Sequence, residues 1–151
     1  GQEKERITSL VRELDIEDIT IFTGRIKHQD LASYYAAADV CVVPSHYEPF
    51  GLVAIEAMAS RTPVIASEVG GLKFSVVNEV TGLLVPPQDE TAFASAINSI
   101  LSNPQWCKQL GENARERVVA KFSWDGVARQ LDRLYLAELD KLHQEFLHPA
   151  V

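Results

Sequence analysis

Residues 39 to 67 read DVCVVPSHYEPFGLVAIEAMASRTPVIAS, and this stretch limits the fold more than any other. An apolar run from Asp39 to Val43, rich in valine, ends at Pro44. A polar loop carries Ser45 to Glu48, Pro49-Phe50-Gly51 turns the chain, and a helical pattern runs from Leu52 to Ser60. A second apolar run, Pro63 to Ser67, follows. Strands alternating with helices predict an α/β layer built on a mostly parallel sheet. In such sheets ligands lie at the C-terminal ends of the strands. Loop 44–51 therefore sits where a ligand is expected.

The rest of the chain extends the same pattern. Ile7, Leu10, Val11 and Leu14 recur at helical spacing and predict an amphipathic helix over 2–14. Residues 15–18 form a charged loop, and Ile19 to Thr23 is a β-rich run closed by Gly24. Helix returns over 28–38. After the strand at 63–67, Gly70-Gly71 breaks the chain, and a short helix is predicted over 72–78. A further strand covers 82–85 and ends at Pro86-Pro87. From there the pattern is helical. Asp89 is placed to cap one helix, and Asn103-Pro104 is a cap with proline in the first turn of the next, which runs to about Lys121. Ser123 can cap a last helix carrying Val127, Leu131, Leu134, Tyr135, Leu139 and Leu142.

At 151 residues the chain can bury roughly two-thirds of its unfolded surface. Its net charge is −7 with 14 basic residues, which argues against a nucleic-acid face. No apolar run approaches the ~20 residues that span a bilayer, so no transmembrane segment is expected. The first residues lack the apolar segment of a signal peptide. Cys41 and Cys107 have no metal spacing and no evident bridge, which fits a reduced, cytoplasmic setting. His143 and His148 are five apart, a poor spacing for sharing a metal, and no Asp-x-Asp occurs.

Loop 44–51 and its helix carry a distinct chemistry. Glu48 stands just before the helix, and Glu56 lies roughly one and a half turns inside it. A helix start leaves backbone N–H groups free and carries partial positive charge, a setting that suits a phosphate. The two carboxylates can accept hydrogen bonds from sugar hydroxyls. A sugar nucleotide has both kinds of group. The plainer alternative is an ordinary Pro-Phe-Gly turn and a solvated helix glutamate. Gly70-Gly71 reads most simply as a turn, and Tyr34 and Tyr35 as packing residues.

Glu48 and Glu56, separated by seven residues, match the E-x7-E element of retaining GT-B glycosyltransferases of the family 4, group 1 type, which includes sucrose-phosphate synthases. Thr23-Gly24-Arg25, Leu31-x-x-Tyr34-Tyr35-x-x-Ala38-Asp39-Val40, Pro44-Ser45, Glu48-Pro49-Phe50-Gly51-Leu52, Glu56-Ala57-Met58-Ala59, Thr62-Pro63-Val64-Ile65-Ala66, Gly70-Gly71 and Thr81-Gly82-Leu83-Leu84-Val85 fall in the family's order. The chain thus resembles the C-terminal, donor-binding half of that fold. Residues 1–125 are expected to form a partial nucleotide-sugar-binding Rossmann-like domain. Residues 126–151 are expected to be a C-terminal helix packing on or leaving it.

The resemblance implies transfer of a hexose from a nucleoside diphosphate sugar with retention of configuration. It gives Glu48 the catalytic place, holding hydroxyls of the sugar. The backbone N–H groups of Phe50, Gly51, Leu52 and Val53 would meet sugar oxygens and the distal phosphate. Glu56 would accept from the ribose hydroxyls, and Gly24, Arg25 and Ile26 would frame the base. No cofactor and no metal are implied. One departure is Phe74, which stands where relatives often carry an acidic residue.

Two strands expected at the start of this half, with a loop bearing an arginine and a lysine for the diphosphate, are not found, nor is an N-terminal acceptor domain. The run at 19–23 would then pair directly with 39–43, leave the sheet edge open, or meet another chain. The fragment is expected to be inactive alone and prone to self-association. The alternative is a non-catalytic domain that binds a nucleotide or a partner. A GT-B epimerase or phosphorylase is a second enzyme reading, the latter without a lysine-bound cofactor motif to support it.

Overall fold

A computed structural model describes residues 3–147; Gly1, Gln2 and residues 148–151, His148 among them, lie outside it. The chain divides into two compact units, 1–31 and 32–151. The first holds α1 (Lys4–Glu13), a single 3-10 turn (Glu17–Ile19) and the start of α2 (His28–Ala37). Arg12 pairs with Glu17 at 3.1 Å, and the Thr20 hydroxyl donates to the Ile16 carbonyl at 2.7 Å.

No strand forms over residues 19–23. Ile19 belongs to the 3-10 turn, and Ile19 and Ile21 are 82% and 87% exposed. Composition alone made this run look like a strand. A strand, however, exists only when a neighbour satisfies its backbone groups. The three-stranded sheet of the described residues does not include this run.

The second unit contains the sheet. β1 (Cys41–Val43), β2 (Val64–Ser67) and β3 (Gly82–Val85) lie parallel in the order β1-β2-β3. Cys41 stands opposite Val64, Val43 opposite Ala66, and Ser67 opposite Val85. The helices are α3 (Leu52–Ala59), α4 (Leu72–Ser75), α5 (Glu90–Leu101), α6 (Pro104–Lys121) and α7 (Trp124–Leu147). β2 is buried at every residue, as a central parallel strand covered on both faces must be. Its side chains alternate. Val64 and Ala66 join Val43, Ala54, Ala57, Met58, Leu72, Ala114 and Val118 in one cluster, while Ile65 joins Val85, Ala96, Ile100 and Leu110 in the other.

α6 contributes to both clusters, and its start is fixed by Asn103, whose Oδ1 accepts from the Trp106 N–H at 3.1 Å. Asp89 caps α5 in the same way, through the Ala92 N–H at 2.8 Å. Arg117 of α6 donates to the carbonyls of Phe74 and Ser75, which ties α4 to the layer. Among the described residues no helix is long and apolar enough to cross a membrane.

Candidate functional site

β1 ends at Val43, and the loop after it leads directly into α3. Three features hold that loop. Gly51, the residue before α3, adopts a left-handed conformation with φ 81°, which glycine takes at little cost. The Glu48 carbonyl accepts the Gly71 N–H at 2.8 Å. The buried Ser75 hydroxyl donates to the Phe50 carbonyl at 3.2 Å. Behind the loop, Ala54, Ala57 and Met58 point the inner face of α3 into the core.

Gly70 and Gly71 do more than turn the chain. A Cβ on Gly70 would collide with the Glu48 carbonyl oxygen, and one on Gly71 would lie 2.5 Å from the Phe50 Cα. The chain after β2 lies backbone against backbone on the chain after β1. This contact is not evident from the sequence, where two adjacent glycines look like a turn.

Glu48 is half-buried and folds back on its own loop. Its Oε1 accepts the Gly51 N–H at 3.0 Å and, less closely, the Phe50 N–H at 3.4 Å. The carboxylate thus acts as a charged cap at the positive end of α3. The first helical bond of α3 runs from the Ile55 N–H to the Gly51 carbonyl at 3.1 Å. The N–H groups of Leu52 and Val53 precede it, and among the described residues no acceptor meets them. The side chains of Phe50, Leu52 and Val53 are exposed around these amides.

Glu56 is half-buried on α3, and the Tyr35 hydroxyl donates to its Oε2 at 3.3 Å. Burial, and then the charge of Glu56, push the Tyr35 phenol up to about 12. It therefore remains a proton donor throughout the neutral range. The Tyr35 carbonyl accepts from the buried Thr62 hydroxyl at 2.6 Å, which fixes the tyrosine's backbone. A phenol that is half-buried normally finds a partner, and that rule was the available signal for a polar role.

Glu48, Phe50, Gly51, Leu52, Val53 and Glu56 are brought together on one loop and one helix. Gly24, Arg25 and Ile26 belong to the first unit. There Gly24 takes φ 66°, and Gly24 and Arg25 line an open cleft of about 560 Å³ with Glu3, Ile7, Ile21 and Phe22. Of the other polar residues, His46 approaches the Gln88 side chain at 3.0 Å, linking the loops after β1 and β3. Lys73 pairs loosely with Glu68 at 3.9 Å, and Phe74 packs edge-on against Phe122. Burial raises the Cys41 thiol to about 11, and burial with the nearby Asp39 charge raises Cys107, so neither is a thiolate at neutral pH. Among the described residues no three His, Cys, Asp or Glu side chains gather as a metal site.

The chain is similar in sequence and fold to known proteins. Residues 1–117 match the family model described as glycosyl transferases group 1. The sucrose-phosphate synthase of Thermosynechococcus elongatus is 57% identical, superposes with a TM-score of 0.82, and is matched over 93% of this chain and 35% of its own. A Mycobacterium tuberculosis glycogen synthase is 37% identical over 91% of this chain and 33% of its own length. Anabaena Alr3699/HepE, solved in complex with UDP, is 28% identical with a TM-score of 0.72, over 90% of this chain and 38% of that one. The chain spans about a third of the length of the curated relatives it matches. Its three parallel strands and flanking helices match the C-terminal half of a GT-B fold. With this fold and the family match over residues 1–117, the chain belongs to the group 1 glycosyl transferases.

Proposed function

We propose that residues 44–56 form the donor side of a retaining hexosyl transfer from a nucleoside diphosphate sugar. The observation that carries this reading is the placement of two carboxylates and two unmet backbone amides on one strand-end loop and helix. The Anabaena relative solved in complex with UDP supports a nucleotide as ligand of this fold.

The roles follow from the geometry. The amides of Leu52 and Val53, at the positive end of α3, meet a phosphate oxygen. Glu48 uses Oε1 to cap the helix and keeps Oε2 for hydroxyls of the sugar. Glu56 accepts from the ribose, and Gly24, Arg25 and Ile26 frame the base. As the glycosidic bond breaks, negative charge grows on the leaving diphosphate. Donors fixed before the reaction stabilise that charge more than the ground state. No metal or cofactor takes part. Acceptor binding lies outside these 151 residues, consistent with their spanning about a third of the relatives' length, and the chain alone does not turn over.

Glu48→Gln tests the assignment. The amide oxygen of glutamine can still accept from Gly51, so the loop stays in place. In the full native protein, transfer should fall about 10- to 100-fold, the scale of losing one hydrogen bond to a charged group. Nucleoside diphosphate affinity by calorimetry should stay nearly constant. Normal transfer with weakened diphosphate binding would show that Glu48 serves the nucleotide.

A further inference from the structure

We infer that Tyr35 is a positioning residue that sets the Glu56 carboxylate for the nucleotide's ribose, and this rests on the donor-site reading above. Its hydroxyl reaches Glu56 Oε2 from α2, a separate helix. At 3.3 Å the bond is long for a hydroxyl–carboxylate pair, so it restrains the carboxylate without locking it. The restraint is anchored in depth. Thr62 is 2% exposed and donates to the Tyr35 carbonyl at 2.6 Å, so the tyrosine's backbone is fixed to the turn that leads into β2.

The chemistry favours this arrangement over simple packing. Tyr35 is half-buried beside Glu56 and Cys41, and its raised phenol keeps its proton through the neutral range. In that range the phenol can only donate to a carboxylate. One Glu56 oxygen accepts from Tyr35, and a carboxylate has about four lone-pair sites, so this bond does not fill it. A carboxylate held less firmly would have to be ordered further when the nucleotide arrives. One already held loses less freedom on binding, and that difference appears as affinity for the diol and for nothing else on the ligand.

The test compares ribonucleotides with analogues that lack the diol. UDP and ADP, and their 2′,3′-dideoxy counterparts, are titrated against the full native protein, Tyr35→Phe and Glu56→Gln. Phenylalanine keeps the ring and removes only the hydroxyl. We expect Tyr35→Phe to weaken ribonucleotide binding roughly three- to tenfold, the range for one modest hydrogen bond. Dideoxynucleotide binding and the urea midpoint should stay as in the unmutated protein. Equal loss for both ligand classes would make Tyr35 a structural residue and overturn the inference. If Glu56→Gln collapses the ribose preference while Tyr35→Phe leaves it whole, the inference alone fails. If Glu56→Gln also leaves the preference whole, the ribose assignment fails, and the inference with it.

Discussion

At the scale of single residues, the site depends on contacts that cross between loops. Gly71 shows this well. Its φ of −65° suits any amino acid, so backbone strain does not explain the glycine. Space does: a methyl group there would lie 2.5 Å from the Phe50 Cα and 2.6 Å from the Pro49 carbonyl oxygen. Gly71→Ala must therefore push the two loops apart. We expect a loss of about 1–3 kcal/mol, the usual scale of overpacking, read as a lower urea midpoint. Donor affinity should fall as well, because the Gly71 N–H that holds the Glu48 carbonyl moves with it. An alanine variant with unchanged stability would mean that the loops yield freely. Neither the Gly71 contact with Phe50 nor the Tyr35 bond to Glu56 could be read from the sequence. The partners in each pair are 21 residues apart in the chain and become neighbours only in the folded layer. Glu48 and Glu56 were legible because one loop and one helix, with local punctuation by Pro49 and Gly51, place both.

At the scale of elements, helices with local signals were read well. Asp89 and Asn103 were identified as caps from their place before an apolar periodic run, and both side chains accept the expected N–H. Asn103→Ala removes the acceptor for Trp106 and should cost about 1 kcal/mol, seen as a reduced urea midpoint with unchanged donor affinity. A midpoint equal to that of the unmutated chain would show that the proline at the first position of α6 fixes the helix start by itself. Strands were read well only where their partners are present. The runs at 63–67 and 82–85 succeeded because β2 and β3 pair with each other. The run at 19–23 has an equally β-rich composition and forms no strand. Strand propensity mostly reports fit to a neighbouring surface, so composition without a partner was misleading there.

At the scale of the whole molecule, the chain exposes much apolar surface. Ile19 and Ile21 are nearly bare, and Leu131, Leu134, Tyr135 and Leu139 on α7 are each about half exposed or more. Surface of this kind tends to find a partner. We expect the purified 151-residue chain to associate with itself as concentration rises in sedimentation velocity, and to show no sugar transfer. A monomer at every concentration, or transfer that Glu48→Gln reduces, would contradict the corresponding expectation. The backbone contact between the loops after β1 and β2 also bears on how these loops can be exchanged. A chimera that received only residues 44–51 from a relative would lack the Gly71 amide and the Ser75 hydroxyl that shape them. The transplantable module therefore runs from the end of β1 through α4. A change in the backbone of either loop has to be accommodated by the other.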